Sequence, residues 1–420
     1  MKFFKKYYPY IFLALMYFSY LWPNLLSLDR IGNQWLHLSI VNLTAFLTIV
    51  CFKKTNNIKE IFSKSLIARI WILFLSISLI SIFFADNTPE SIITFNQYFT
   101  IVLSFYLIQI FTSEIKSPIK FVYNLVLLSL FFDLIFSLIP IIKDLNTGGF
   151  IVPRSMEYKG LSANINIISF MMALKLPLAI DKLLQSKKSL SKGIFSILII
   201  LVIYTILAMG TRGAYIALFF NFIFTILRSY FDSNLKFILK LKNILFFFFL
   251  FFISIISNIV TTPKSNVNSI ERASTISIDT NDGSVNQRLR YYKQGLNHLL
   301  NNPIMGVGAG NWKLISIEYD KNEIEGFTVP FHAHNDFIQI GAELGMFGLL
   351  SYLSIFIIMI FNLIKKVLTK DRISLIILFS IAVFTLDSLL NFPIARPISI
   401  ITFLFLITMF EIINSKGYEK

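Results

Sequence analysis

The sequence predicts an all-α polytopic membrane protein of about twelve transmembrane helices with one large outer-face loop, and three observations predict it. Apolar residues make up 55% of the chain and the mean hydropathy is +0.70, beyond the roughly 45–50% apolar share of soluble domains, so a bilayer has to be the solvent. Apolar stretches near or above the roughly 18 residues that cross hydrocarbon recur along all 420 residues. Lys and Arg are distributed unevenly between alternate connecting segments, as positive-inside insertion requires.

The expected spans lie near residues 8–26, 36–52, 67–84, 91–111, 121–141, 161–180, 194–209, 213–227, 243–260, 338–364, 373–390 and 393–413. Met1 to Lys6 is basic, but Tyr10 to Leu26 is a long apolar run without a small-residue cleavage site. It reads as the first span and not as a cleavable signal peptide. With the N-terminus inside, the cytoplasmic segments hold 24 of the 38 basic residues, from Lys2, Lys5 and Lys6 to the C-terminal Lys416 and Lys420, while the short outer loops hold six. Lys175 stands within the sixth span, where its side chain is expected to snorkel. The chain thus divides into residues 1–260 with nine spans, 261–337 as an outer loop with an amphipathic helix, and 338–420 with three spans, both termini cytoplasmic.

A net charge of +15 would suggest nucleic acid as partner in a soluble chain, but here the charge follows the loops and nucleic acid is excluded. The single cysteine, Cys51, excludes an intramolecular disulfide and a cysteine-cluster metal site.

Four constellations carry candidate chemistry. Gly210-Thr211-Arg212-Gly213-Ala214-Tyr215 breaks the chain between the seventh and eighth spans and sets an arginine at the membrane boundary. Two readings of it carry equal weight: a ligand for an anionic partner in a wet cavity, or snorkelling to headgroups. Asn286-Gln287-Arg288-Leu289-Arg290-Tyr291-Tyr292-Lys293 opens a helix with Leu289, Tyr292, Leu296, Leu299 and Leu300 on one side, expected to lie on the bundle. Arg288 and Arg290 offer planar forks suited to phosphate oxygens, although a solvated basic face is the commoner outcome for such a pair. Gly306, Gly308 and Gly310 follow no strand, which favours a compact turn over a nucleotide fingerprint.

The third constellation, Phe331-His332-Ala333-His334-Asn335-Asp336, leads into Gln339, Gly341, Glu343, Gly345 and Gly348. On a continuous helix these three glycines fall within about 40° of His334 and Glu343 on the opposite side, so a smooth glycine face would hold the histidine and Glu343 would stand apart. His-x-His with scattered acids and no cysteine argues against zinc. His334 suits a base, hydrogen-bond donor or ligand, and for His332 a structural role at the helix start weighs as much as a catalytic one. Last, Asp387 and Arg396 flank the hairpin Leu390-Asn391-Phe392-Pro393, either pairing with each other or joining a cavity.

These residues resemble the O-antigen ligase and polymerase superfamily, membrane glycosyltransferases that use polyprenyl-diphosphate-linked glycans. Thr211-Arg212-Gly213-Ala214 is similar to its Ser/Thr-Arg-Gly/Ala motif; Arg288-Leu289 followed by Pro303-Ile304-Met305-Gly306-Val307-Gly308 is similar to its Arg-Leu … Pro-x-x-Gly-x-Gly run; His334-Asn335, nine residues, Gly345, two residues and Gly348 matches its ligase signature. The likeness covers roughly residues 195–400, with Tyr292 where the family often has Trp. It implies a helical fold of the lipid-dependent, GT-C-like glycosyltransferase class. It implies that Arg212 and Arg288 bind the diphosphate and that His334 activates the incoming hydroxyl. Around these, Arg290, Tyr292, His332, Asn335 and Arg396 are candidates for diphosphate and glycan contacts, and Gly341, Gly345 and Gly348 for structural roles. The expected partners are an undecaprenyl-diphosphate-linked glycan, a lipid A-core acceptor and membrane lipids, in a bacterial inner membrane with the site facing the periplasm.

Two arginines at a low-dielectric interface can stabilise a leaving diphosphate by bidentate contacts, so no metal or cofactor is required. The first outer loop, with Asp29 alone, lacks the paired acids that metal-dependent relatives in chemistry carry there. A polymerase or a protein O-oligosaccharyltransferase of the same superfamily shares the donor chemistry. A polyprenyl-glycan transporter or flippase would show internal repeats, which the sequence lacks.

Overall fold

The computed structural model describes residues 2–23, 29–232, 236–276, 283–321 and 330–415. Residues 277–282 and 322–329 of the expected outer loop, and the C-terminal Lys416 and Lys420, lie outside the described residues. The described chain is helical throughout: α1 (Lys2–Tyr17), α2 (Arg30–Cys51), α3 (Asn56–Lys64), α4 (Leu66–Ser81), α5 (Thr88–Ser113), α6 (Pro118–Gly148), α7 (Ile165–Gln185), α8 (Ser189–Met209), α9 (Arg212–Phe231), α10 (Phe237–Thr261), α11 (Ser269–Ser274), α12 (Gly283–Asn301), α13 (Trp312–Asp320), α14 (Asp336–Leu368), α15 (Arg372–Leu390) and α16 (Pro397–Ser415).

Eleven of the twelve expected spans fall on one of these helices each, the first (8–26) overlaps α1 only as far as Tyr17, and among the described residues ten helices are long and apolar enough to cross a membrane. The protein is a multi-pass membrane protein. The two that fall short do so for different reasons. Helix α1 has 16 residues, a rise of about 24 Å against a hydrocarbon core of about 30 Å. Helix α7 carries Lys175, Asp181 and Lys182.

The chain forms two compact units. The first comprises Met1–Pro118, Ile278–Met359 and Ser388–Glu411. Its hub is α5, which packs against α1, α2, α3 and α4 and buries Ile101, Phe105 and Ile108. Polar side chains lock these helices where a bilayer would leave them no other partner: Asn42 Nδ2 donates to Ser104 Oγ at 2.8 Å, and the Tyr8 hydroxyl donates to Glu114, whose carboxylate lies 2.7 Å from Lys54 Nζ. Asp29 caps α2, accepting from the backbone N–H of Ile31 and Gly32 at 3.0 Å each.

The second unit comprises Ile119–Ser277, Ile360–Asp387 and Ile412–Lys420. Helix α7 is its core, buried along almost its whole length and packed on α8 and α9. Here Lys175 corrects the expectation of snorkelling. It is fully buried with its Nζ 2.5 Å from Asp133 on α6, because in the middle of a packed unit a paired carboxylate is nearer than any headgroup. Nearly two helical turns further on, buried Asp181 receives Arg228 Nε at 2.8 Å, Arg372 Nη1 at 2.9 Å and the Tyr123 hydroxyl at 3.1 Å, joining α6, α7, α9 and α15.

Candidate functional site

In the first unit the site is built by a broken helix. Gly345 stands within α14 at φ +68° and ψ −170°, a conformation only glycine adopts without strain, and a Cβ there would run into the Ile304 carbonyl. The break frees backbone groups on both sides of it. Met346 N–H donates to Pro303 O at 2.7 Å, while the carbonyls of Ala342 and Glu343 accept from Val307 at 3.0 Å and Gly308 at 2.9 Å. Two motifs about forty residues apart in sequence are therefore one hydrogen-bonded exchange.

This corrects the picture of a continuous glycine face. His334 is not helical; its φ is +55°, and α14 starts at Asp336. Gly341 lets Leu299 of α12 approach, Gly345 admits the 303–308 loop, and the three glycines serve separate contacts. Glu343, expected to stand apart, organises the loop instead. It accepts from Gly310 N–H at 2.9 Å, Trp312 N–H at 3.3 Å and Gln339 Nε2 at 3.0 Å, and Gln339 Oε1 in turn accepts from Ala333 N–H at 3.1 Å, between the two histidines.

Helix α12 lies on this core by a face other than the leucine stripe. Tyr291, Gly295 and Leu299 are buried, whereas Leu289, Leu296 and Leu300 are exposed. The reason is Gly295, whose missing side chain lets α12 sit against Ile338 and Trp312. That rotation points Tyr292 to the histidine loop, where its hydroxyl lies 2.9 Å from both the His334 and the Leu389 carbonyl.

Phe392 is the platform of the site. The His332 ring stacks on it at 4.1 Å and 15°, the His334 ring meets it edge-on at 5.1 Å, and the Arg396 guanidinium lies 4.9 Å over it. Burial, followed by the charges of Arg396 and His334, pushes the His332 imidazole down to about 3. Burial, followed by Arg288 and Arg396, pushes His334 down to about 4. Asp336 Oδ2 accepts from Ile394 N–H at 3.2 Å and ties down the 392–396 hairpin. Both rings are neutral at physiological pH, and the Nδ1 of each is buried without a hydrogen-bond partner. Asn335 caps α14 by accepting from Ile338 N–H at 3.1 Å, and Arg290 lies over the Tyr291 ring at 5.8 Å.

Arg212 belongs to the second unit. Gly210, at φ +61°, ends α8, and Arg212 opens α9. Its Nη1 donates to Thr275 O at 3.1 Å, Arg272 Nε donates to Gly210 O at 3.2 Å, and Arg154 N–H donates to Ala208 O at 3.1 Å. Three arginines thus gather on one turn, and the backbone carbonyls that hold two of their guanidinium groups are hard to reconcile with free snorkelling. Arg154 and Arg272 line a small cavity that shares Leu207, Tyr215 and Ser269 with an apolar one of about 380 Å³, walled by Ile216, Phe219, Phe251 and Ile255.

A family model described as O-antigen ligase matches residues 197–353, a stretch that includes Arg212, Arg288, His334 and the exchange at Gly345. Over that stretch the chain is similar to the O-antigen ligase family. That family is one of glycosyltransferase-like ligases and polymerases, whose substrates are in general a polyprenyl-linked glycan and a lipid acceptor. No curated protein matches the chain.

Arg272 escaped the reading of the sequence, and Phe392, Gln339, Trp312 and Arg154 were present in it without the roles the structure gives them. Phe392 is one phenylalanine among 45, and only the approach of two histidines sets it apart. Arg272 sits in a Ser- and Asn-rich stretch, and nothing in the sequence brings it near Gly210.

Proposed function

We propose that the protein is an O-antigen ligase that transfers a glycan from undecaprenyl diphosphate to a sugar hydroxyl of lipid A-core, at the periplasmic face of the bacterial inner membrane, with both termini cytoplasmic. The observation that carries this reading is the neutral His334 imidazole under the influence of Arg288 and Arg396. A neutral imidazole accepts the proton of the acceptor hydroxyl as its oxygen attacks the anomeric carbon. The bond from that carbon to the phosphate oxygen breaks, and the electron pair leaves with the diphosphate. Arg288 stabilises the departing charge.

The donor supplies its own adjustment of the base. Arginine charges hold the His334 pKa down, and a diphosphate bound to Arg288 offsets them, so the ring becomes more basic when the donor is in place. Arg212 keeps the donor-binding role that the resemblance implies. Its own unit supports this with Arg272 and Arg154 beside an apolar cavity, a combination that suits an anionic head on a polyprenyl tail. Arg290 and Tyr292 on α12 and Arg396 complete the proposed glycan and diphosphate contacts.

Deletion of the gene followed by gel analysis of surface glycolipid tests the reading. The expected result is bare core with full-length polymer accumulating on the polyprenyl carrier. Core bearing a single repeat unit would assign the protein to polymerisation, and unchanged glycolipid would overturn both.

A further inference from the structure

Beside His332, within the first unit, lies a cavity of about 170 Å³ that the proposed reaction leaves unassigned. One wall is a polar stripe on α5: Glu90, Thr94, Gln97 and Tyr98, spaced so that they share a helix face. Such a stripe is costly on a membrane-spanning helix unless it faces a wet cavity. The opposite walls are His332, Phe392 and Lys313, whose Nζ lies 2.6 Å from Glu90. Among the described residues the side chains of Thr94, Gln97 and Tyr98 make no hydrogen bond, and His332 Nδ1 is likewise unpartnered. Hydrogen-bonding groups of both senses thus surround the edge of one aromatic platform without being used by the fold.

This chemistry selects among ligands. A lipid tail would leave the polar wall unsatisfied, a phosphate would meet Glu90 and Asp336, and a cation would meet Lys313. A sugar ring fits each feature: its hydroxyls donate and accept, and its C–H groups pack against an aromatic edge. The volume, below the roughly 300 Å³ where pockets for drug-sized ligands begin, admits one ring and not an oligosaccharide.

We propose that this cavity is the acceptor subsite, holding the terminal sugar of the acceptor against the edge of Phe392 with its hydroxyls on Thr94, Gln97 and Tyr98. The assignment rests on the ligase reading. Phe392 also contacts the His334 ring, so a sugar seated there presents a hydroxyl on the side of the proposed base.

Calorimetric titration of the full-length protein in detergent with core oligosaccharide released from lipopolysaccharide, without donor, tests the subsite independently of transfer. Wild type is expected to bind, and Gln97→Ala and the near-isosteric Thr94→Val are each expected to weaken binding about tenfold, the size of one lost hydrogen bond. In transfer assays the same variants raise the acceptor KM and leave the donor KM and the slow hydrolysis of donor by water unchanged. No binding by wild type, equal binding by both variants, or a donor KM that rises in step with the acceptor KM would overturn the proposal. Sugar binding in a protein whose deletion leaves glycolipid unchanged would keep the subsite and remove the ligase reading.

Discussion

The Gly210 turn of the second unit keeps Arg212 and Arg272 partly exposed and fixes them with backbone carbonyls, whereas the 332–336 loop of the first packs its imidazoles against Phe392 and gives their Nδ1 atoms no partner. The difference follows from what each group has to do. A guanidinium keeps its charge in any environment, so the fold needs only to aim it. An imidazole that is to take a proton has to be neutral first, and burial beside arginines secures that. Positioning by backbone and tuning by burial are thus separate devices in one chain.

The largest expected effect is at the tuned end. His334→Ala lowers transfer by roughly 10²–10⁴-fold in reconstituted membranes, the usual weight of a general base, with donor binding retained. Full activity in that variant would remove the base. The pH dependence refines the same point. The acid limb of kcat/KM falls as pH drops through about 4, and the limb of kcat at saturating donor lies at higher pH, because the bound diphosphate offsets the arginines. Coincident limbs would show that the donor does not touch Arg288. Both histidines titrate below the ordinary value near 6.5, so the unfolded chain binds more protons between roughly pH 4 and 6.5. They lower stability as pH falls through that window and have no effect above it.

At the positioned end, Arg212→Ala lowers transfer by roughly 10²–10³-fold, the cost of removing one charge-stabilising donor. Arg212→Lys restores little of it if the fork geometry matters, and full restoration would reduce Arg212 to a point charge. Smaller effects probe the scaffold. Gly345→Ala costs about 1–3 kcal/mol in backbone strain, before the clash with Ile304, and lowers Tm by several degrees, while Gly341→Ala meets only a leucine methyl and shifts Tm much less. Equal Tm values would mean that the exchange at Gly345 does not hold the loop. Tyr292→Phe removes one hydroxyl shared by two carbonyls and costs about 1 kcal/mol, seen as a several-fold loss of kcat/KM.

Much of this was legible in the residues alone. Hydropathy located twelve helices because the bilayer demands long apolar runs whatever the packing, and Arg212, Arg288 and His334 stood out because charge is scarce in such a chain. The helical wheel failed where the helix did. His334 lies before the helix, which starts at Asp336, and Gly345 interrupts the period further on, so the angles that joined His334 to three glycines and separated Glu343 do not apply. The leucine stripe of α12 misled for a related reason. Periodicity finds an apolar face but not what it touches, and Gly295, a glycine inside the helix, chose the contact.

The amino-acid order was sufficient for the helical membrane fold, the placement of charge and the family motifs, since these depend on composition and short spacing. Whether an arginine snorkels or is held, whether Lys175 finds water or Asp133, and whether His334 is charged or neutral all depend on neighbours far away in sequence. Burial and partner distance set those answers, and neither exists until the chain has packed.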